Sequence, residues 1–333
     1  MWTPSLLVLE LIELLLLCLW LVNGWCALRI ALFWDRRSGA ELQIRLEALS
    51  ELLVVLIPFS MLLTICSFFL TIFTADSLAP FLTGAMCAFG VFTFNGYGIA
   101  LLTSKITLAI GTGLWLILNR VDRLNAEQPF FRLKFSCIPI FCVLVILDCL
   151  LLFFWLQQMK PDTLVSCCGD LFSTASSFTL PQLLNQLEQP ITLWIYTALL
   201  LCHYGSGLAV MRCKRGLTFF SLSSLLLMPA HLLIVTLYVT QYAFENPVHR
   251  CPFCLLQEID AFVFWLIYVG IWFSTVSGGG IWIFSLRKEL LATPGSGRRS
   301  CNRLTACALI TTTMLLVLML VVILTSNYQY AWS

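Results

Sequence analysis

The chain has 333 residues, of which 60% are apolar and 11% charged, with a net charge of +2 and a mean hydropathy of +0.93. A soluble domain is roughly 45–50% apolar and about 25% charged, and a globule of this size has too little interior to hide such an excess. A cytosolic enzyme, a secreted disulfide scaffold and a disordered chain are excluded, and the near-neutral balance gives no field for nucleic acid. What remains is a multi-pass membrane protein whose first partner is the lipid bilayer.

A helix needs about 20 apolar residues to cross the hydrocarbon core. That length predicts an all-α bundle of eight spans, near 6–33, 51–74, 97–119, 135–157, 191–211, 217–243, 260–286 and 304–326. The first is expected to stay as a span rather than be cleaved as a signal peptide. It lacks an N-terminal Lys or Arg, carries Glu10 and Glu13, and runs on to Arg36 and Arg37.

Residues 77–96 are nearly charge-free and about long enough to cross. Pro80, Gly84, Gly90 and Gly96 fit a broken path better than a continuous helix, so the segment is expected to be an interfacial or re-entrant lid. The stretch 181–189 reads as a short amphipathic helix, and 292–297 as a flexible linker. The chain thus divides into a first four-span half (1–160, with the lid), a loop holding two adjacent cysteines (161–190), and a second four-span half (191–333).

Lys and Arg collect on the cytoplasmic side of membrane proteins. Fifteen of the 19 fall in four connections: Arg36, Arg37, Arg45; Arg120, Arg123, Arg132, Lys134; Arg212, Lys214, Arg215; and Arg287, Lys288, Arg298, Arg299, Arg303. The alternate connections hold only Lys160 and Arg250. Both termini are therefore expected outside the cytoplasm.

Of the 15 cysteines, Cys18, Cys26, Cys66, Cys137, Cys142, Cys149, Cys202 and Cys307 fall in spans, where a thiol is usually a small buried hydrophobe. Cys213 and Cys301 lie on the cytoplasmic side. The other five, Cys87, Cys167, Cys168, Cys251 and Cys254, come from three separate outer segments. The run His249-Arg250-Cys251-Pro252-Phe253-Cys254 is the sharpest motif. A C-x-x-C at a helix start would set its first thiol near unpaired N–H groups, and Arg250 with a protonated His249 would favour the thiolate. Redox cycling, a soft-metal clasp using Cys87, Cys167, Cys168, Cys251, Cys254 and His249, and a static disulfide all remain open. Met86-Cys87-Ala88-Phe89 and Arg250-Cys251-Pro252-Phe253 share C-x-F, each before the third span of its half. The pattern allows a parallel internal duplication.

A C-x-x-C at the outer mouth of a helical membrane bundle resembles the DsbB and vitamin K epoxide reductase families of membrane thiol oxidoreductases. The resemblance covers Cys251–Cys254. It implies electron transfer between an extracytoplasmic thiol protein and a membrane quinone. Cys251 and Cys254 would be the active pair, Cys167 and Cys168 a relay, and Cys87 the odd resolving thiol. Eight spans rather than four or five, and the lack of an Arg after Cys254, are departures from those families.

Glu13, Lys105 and Asp148 lie within spans, each about eight or nine residues from the outer end, and are expected to form one polar layer serving protons or a quinone. His203 and His231 on successive spans are candidates either for a b-type haem or for hydrogen-bonded core positions. The alternative to the enzyme is a non-enzymatic metal- or haem-binding subunit or assembly protein of a membrane complex.

Overall fold

A computed structural model describes residues 3–35, 40–124, 128–160, 165, 190–247, 249–292 and 295–328. The described residues are helical, without strands, and eight helices are long and apolar enough to cross a membrane. The lengths follow from the sequence. Each apolar run supplies a lipid-facing surface, and a helix satisfies every backbone group internally where no water is present.

The chain forms two compact units. One comprises Met1–Thr83 and Val91–Leu164, the other Gly84–Gly90 and Val165–Ser333. In the first, α1 (Pro4–Phe33), α2 (Glu41–Leu78), α4 (Gly96–Arg123) and α5 (Phe131–Gln157) are the spans. Each packs against its chain neighbour and α5 returns to α1, which closes a four-helix ring. Thr3 caps α1 ahead of Pro4, whose missing N–H is no loss at that position. Asn95 caps α4 by accepting from the Tyr97 and Gly98 N–H groups at 3.1 Å. Pro58 and Pro139 sit inside α2 and α5. Across α1 and α2, Asn23 Nδ2 donates to Ser60 Oγ at 2.8 Å and Trp20 Nε1 to Thr64 Oγ1 at 3.0 Å, so these two N–H donors find partners inside the bundle.

The 77–96 segment is broken, as Pro80 and the glycines require. Helix α2 ends at Leu78, a 3-10 turn takes Ala79–Phe81, and the short α3 (Ala88–Thr93) follows. Gly84 has φ +90, and a Cβ there would lie 2.3 Å from the Val165 carbonyl oxygen. Only glycine fits both the backbone and the space.

The second unit repeats the ring with α6 (Pro190–Cys213), α7 (Leu217–Ile234, extended by a π-helical turn at Val235–Val239 and by Thr240–Ala243), α9 (Ala261–Gly279) and α12 (Ser296–Thr325). Helix α6 packs on α7 and α12, and α9 on α7 and α12. Short pieces connect them: α8 (Leu255–Glu258), α10 (Trp282–Leu286) and α11 (Glu289–Ala292). Gly278 lets α9 approach α7 closely, since a Cβ there would lie 2.2 Å from Ser224 Oγ. The expected 181–189 helix lies outside the described residues.

Candidate functional site: a buried three-thiol centre

Cys87, Cys251 and Cys254 converge within the second unit. Their three sulfurs all lie within 4.8 Å of one another, and Cys87 Sγ is 3.5 Å from Cys251 Sγ, close enough for one thiol to donate to the other. Their exposures are 0%, 0% and 4%. Phe89, Phe244 and Phe253 pack around them, so the surroundings are apolar and water is largely excluded.

Two segments far apart in sequence are held in register to build this centre. Gln257 Nε2 donates to the Met86 carbonyl at 2.8 Å, and Phe89 stacks on Phe253 with centroids 5.9 Å apart. The two C-x-F stretches therefore face one another, sulfur to sulfur and ring to ring. The C-x-x-C itself is closed by the Cys254 N–H donating to the Cys251 carbonyl at 3.2 Å. The Tyr268 hydroxyl donates to the Pro252 carbonyl at 2.7 Å and fixes the turn against α9.

Two expectations about this motif are corrected. Cys251 does not start a helix: it opens a turn, and Cys254 precedes the one-turn α8 at Leu255–Glu258. Pro252 in that turn rigidifies the approach rather than sitting in a helical first turn, so no long helix places its dipole on the Cys251 thiol. The expected charge on His249 is also disfavoured. Burial holds its titration below the ordinary histidine value, although Cys87 and Glu258 pull the other way. Its ring stacks on Phe244 at 3.8 Å, its Nε2 is buried without a hydrogen-bond partner, and it is not one of the converging ligand atoms. Cys167 and Cys168 lie outside the described residues.

Among the described residues, the converging ligand atoms are three soft sulfurs. A tetrahedral thiolate site with Zn–S near 2.3 Å has sulfurs roughly 3.8 Å apart, and the three sulfurs can adjust to that spacing. The same closeness is what thiol–disulfide exchange needs, because one sulfur must attack another directly.

The polar residues of the first unit meet as the span arithmetic anticipates. Lys105 Nζ is 2.7 Å from Asp148 Oδ2 and also pairs with Glu13 Oε1. It donates to Ser67 Oγ at 2.7 Å, and Ser67 in turn donates to Glu13. Ser67 escaped the sequence reading, since a serine in an apolar span carries no charge to mark it. A second buried pair, Lys134–Asp122 at 2.9 Å, was also missed. Lys134 reads as a loop cation in the sequence, but α5 begins at Phe131 and draws it inside.

His203 and His231 are both buried and take different hydroxyl partners. His203 Nδ1 lies 3.3 Å from the Ser223 and Ser224 hydroxyls, whereas His231 Nδ1 pairs with the Tyr196 hydroxyl at 2.8 Å. The level of His203 on α7 is thus seven or eight residues from His231, about 11 Å along the axis. Each imidazole is held at Nδ1 by a hydroxyl, and both Nε2 atoms are buried without a hydrogen-bond partner.

No protein-family model, curated protein or solved structure matches the chain. Fold and site together define a polytopic membrane protein of eight candidate spans with a buried triad of cysteines.

Proposed function

We propose that this protein is an integral membrane thiol–disulfide oxidoreductase. It would pass electrons between an extracytoplasmic thiol protein and a membrane quinone through Cys251, Cys254 and Cys87. The observation that carries the reading is the contact between Cys87 Sγ and Cys251 Sγ at 3.5 Å, beside the second thiol of a C-x-x-C. Three thiols are one more than a disulfide consumes, and the extra one is the attacking or resolving sulfur of an exchange. When two thiols become a disulfide they release two electrons and two protons, which convert a quinone to a quinol. The burial of all three argues that a partner protein acts through a further thiol pair, the role assigned here to Cys167 and Cys168. The Lys and Arg distribution supports an extracytoplasmic setting for the centre, with both termini on that side.

A second reading has its own observation. Three buried sulfurs within 4.8 Å and without a carboxylate among them suit a soft ion such as Cu(I) or Zn(II), as in a metal-handling or assembly subunit.

One experiment separates the two. The full-length protein in native membranes is alkylated before and after addition of a soluble quinone, and metal content is measured on the same sample. The redox reading expects thiols that disappear with quinone and return with dithiol. Stoichiometric metal with thiols indifferent to quinone would decide for the ion. Thiols indifferent to both, with no metal, would leave a structural centre and end both readings.

A further inference from the structure

We propose that the polar node of the first unit is a one-proton binding site. Each helix of the ring contributes one side chain: Glu13 from α1, Ser67 from α2, Lys105 from α4 and Asp148 from α5. Glu13, Lys105 and Asp148 each lie nine residues inside a helix end, about 13 Å along the axis. Lys105 is 2% exposed and Asp148 1%.

The charges do not balance. Two carboxylates face one ammonium, which leaves the node at −1 when all three are ionised. The next cations along these helices, Arg29, Arg120 and Lys134, are 14 or more residues away, about 20 Å. The other titratable contact is the Cys149 thiol, 3.9 Å from Glu13 Oε2, which adds no positive charge. Helix α2 brings only the Ser67 hydroxyl. An uncompensated charge at this depth in a bilayer is strongly unfavourable, and one proton removes it.

The hydrogen bonds show where such a proton fits. Glu13 Oε1 accepts from both Lys105 and Ser67, and Asp148 Oδ2 faces Lys105. Asp148 Oδ1 is buried and accepts no hydrogen bond of good geometry, although the Ser104 hydroxyl is close. A protonated Oδ1 becomes a donor at that position. A metal cation fits less well: hard cations take about six oxygens, and Lys105 already occupies the space between the carboxyls.

This inference is independent of the thiol chemistry. Its test is infrared spectroscopy of the full-length protein in lipid bilayers at neutral pH, in H2O and D2O, read at the C=O stretch of protonated buried carboxyls. One deuterium-sensitive band is expected. Because the proton answers a charge count, Asp148→Asn and Glu13→Gln should each abolish it by leaving a neutral pair with Lys105. Lys105→Met should instead add a second band, as both carboxyls then protonate. A merely structural salt bridge predicts no band in the unmodified protein. Absence of the band, or its survival in either isosteric variant, would overturn the proposal.

Discussion

In the first unit four helices meet at depth around Glu13, Ser67, Lys105 and Asp148, and a second ion pair, Lys134–Asp122, lies at the far end of the same helices. In the second unit the same ring is filled by uncharged polar groups. Its buried polar residues are serines, threonines, Gln241 and two histidines; among the described residues, every buried Asp, Glu or Lys belongs to the first unit. The same helix order is thus stabilised in two ways. The ionic ring is sensitive to loss of a single partner, because a stranded charge in a low-dielectric interior is expensive. The hydroxyl ring spreads smaller terms over many contacts, many of them Ser and Thr donating to the carbonyl four residues earlier, as Thr240 does to Thr236 and Thr305 to Cys301.

Substitutions that strand a partner give the largest expected contrast. Lys105→Met should destabilise the first unit by about 3–5 kcal/mol, because both carboxyls must then be held protonated at neutral pH to avoid a stranded charge, measured as a shift in denaturant midpoint in detergent micelles. A loss no greater than that of a serine substitution in the second unit would erase the contrast.

Gly84→Ala should come next. Its Cβ would meet the Val165 carbonyl at a backbone angle that L-residues rarely adopt, a strain of about 1–3 kcal/mol. The segment carrying Cys87 should shift, so oxidative coupling of Cys87 to Cys251 should slow even in folded protein. Unchanged coupling would mean that Gly84 does not position the thiol.

Tyr196→Phe removes the hydroxyl from His231 and leaves a buried imidazole nitrogen unpaired. About 1–2 kcal/mol is expected, well under the Lys105 effect, by the same denaturation assay.

The charged layer was legible in the sequence because Glu13, Lys105 and Asp148 are conspicuous in apolar spans and their depths could be counted from the span ends. The eight helices were legible for the same reason, composition over a fixed length. Two features were not. The register of α6 against α7 depends on the tight turn in which Lys214 has φ +55 and Gly216 φ +77, so the hydroxyl partners that His203 and His231 take along α7 could not be read from the sequence. The convergence of Cys87 with Cys251 and Cys254 depends on Gly84 against Val165, and on the Gln257–Met86 bond and the Phe89–Phe253 stack, contacts between segments more than 150 residues apart. The shared C-x-F was the one sequence signal of that pairing. A duplication of a four-helix unit is our proposal for why both rings and both C-x-F stretches exist.

The smallest expected effect belongs to His249. Burial lowers its titration in the folded chain, so the neutral ring stabilises the fold fully above the unfolded value, about 6.5. That contribution is lost as pH falls toward the folded value. Acidification below about pH 6.5 should therefore loosen the Phe244–His249 stack and quicken alkylation of Cys254 relative to a free model thiol at the same pH, which corrects for the loss of thiolate. His249→Phe keeps an aromatic ring there and should remove the pH dependence; a variant with the same acid response would assign it to another group.

The most direct test of the thiol centre is disulfide mapping by mass spectrometry in the Cys254→Ser variant, oxidised in intact membranes. With its C-x-x-C partner gone, Cys251 should be trapped in a disulfide with Cys87, the sulfur 3.5 Å away. Recovery of Cys87 and Cys251 as separately alkylated thiols, under conditions that oxidise Cys251–Cys254 in the unmodified protein, would contradict exchange between them.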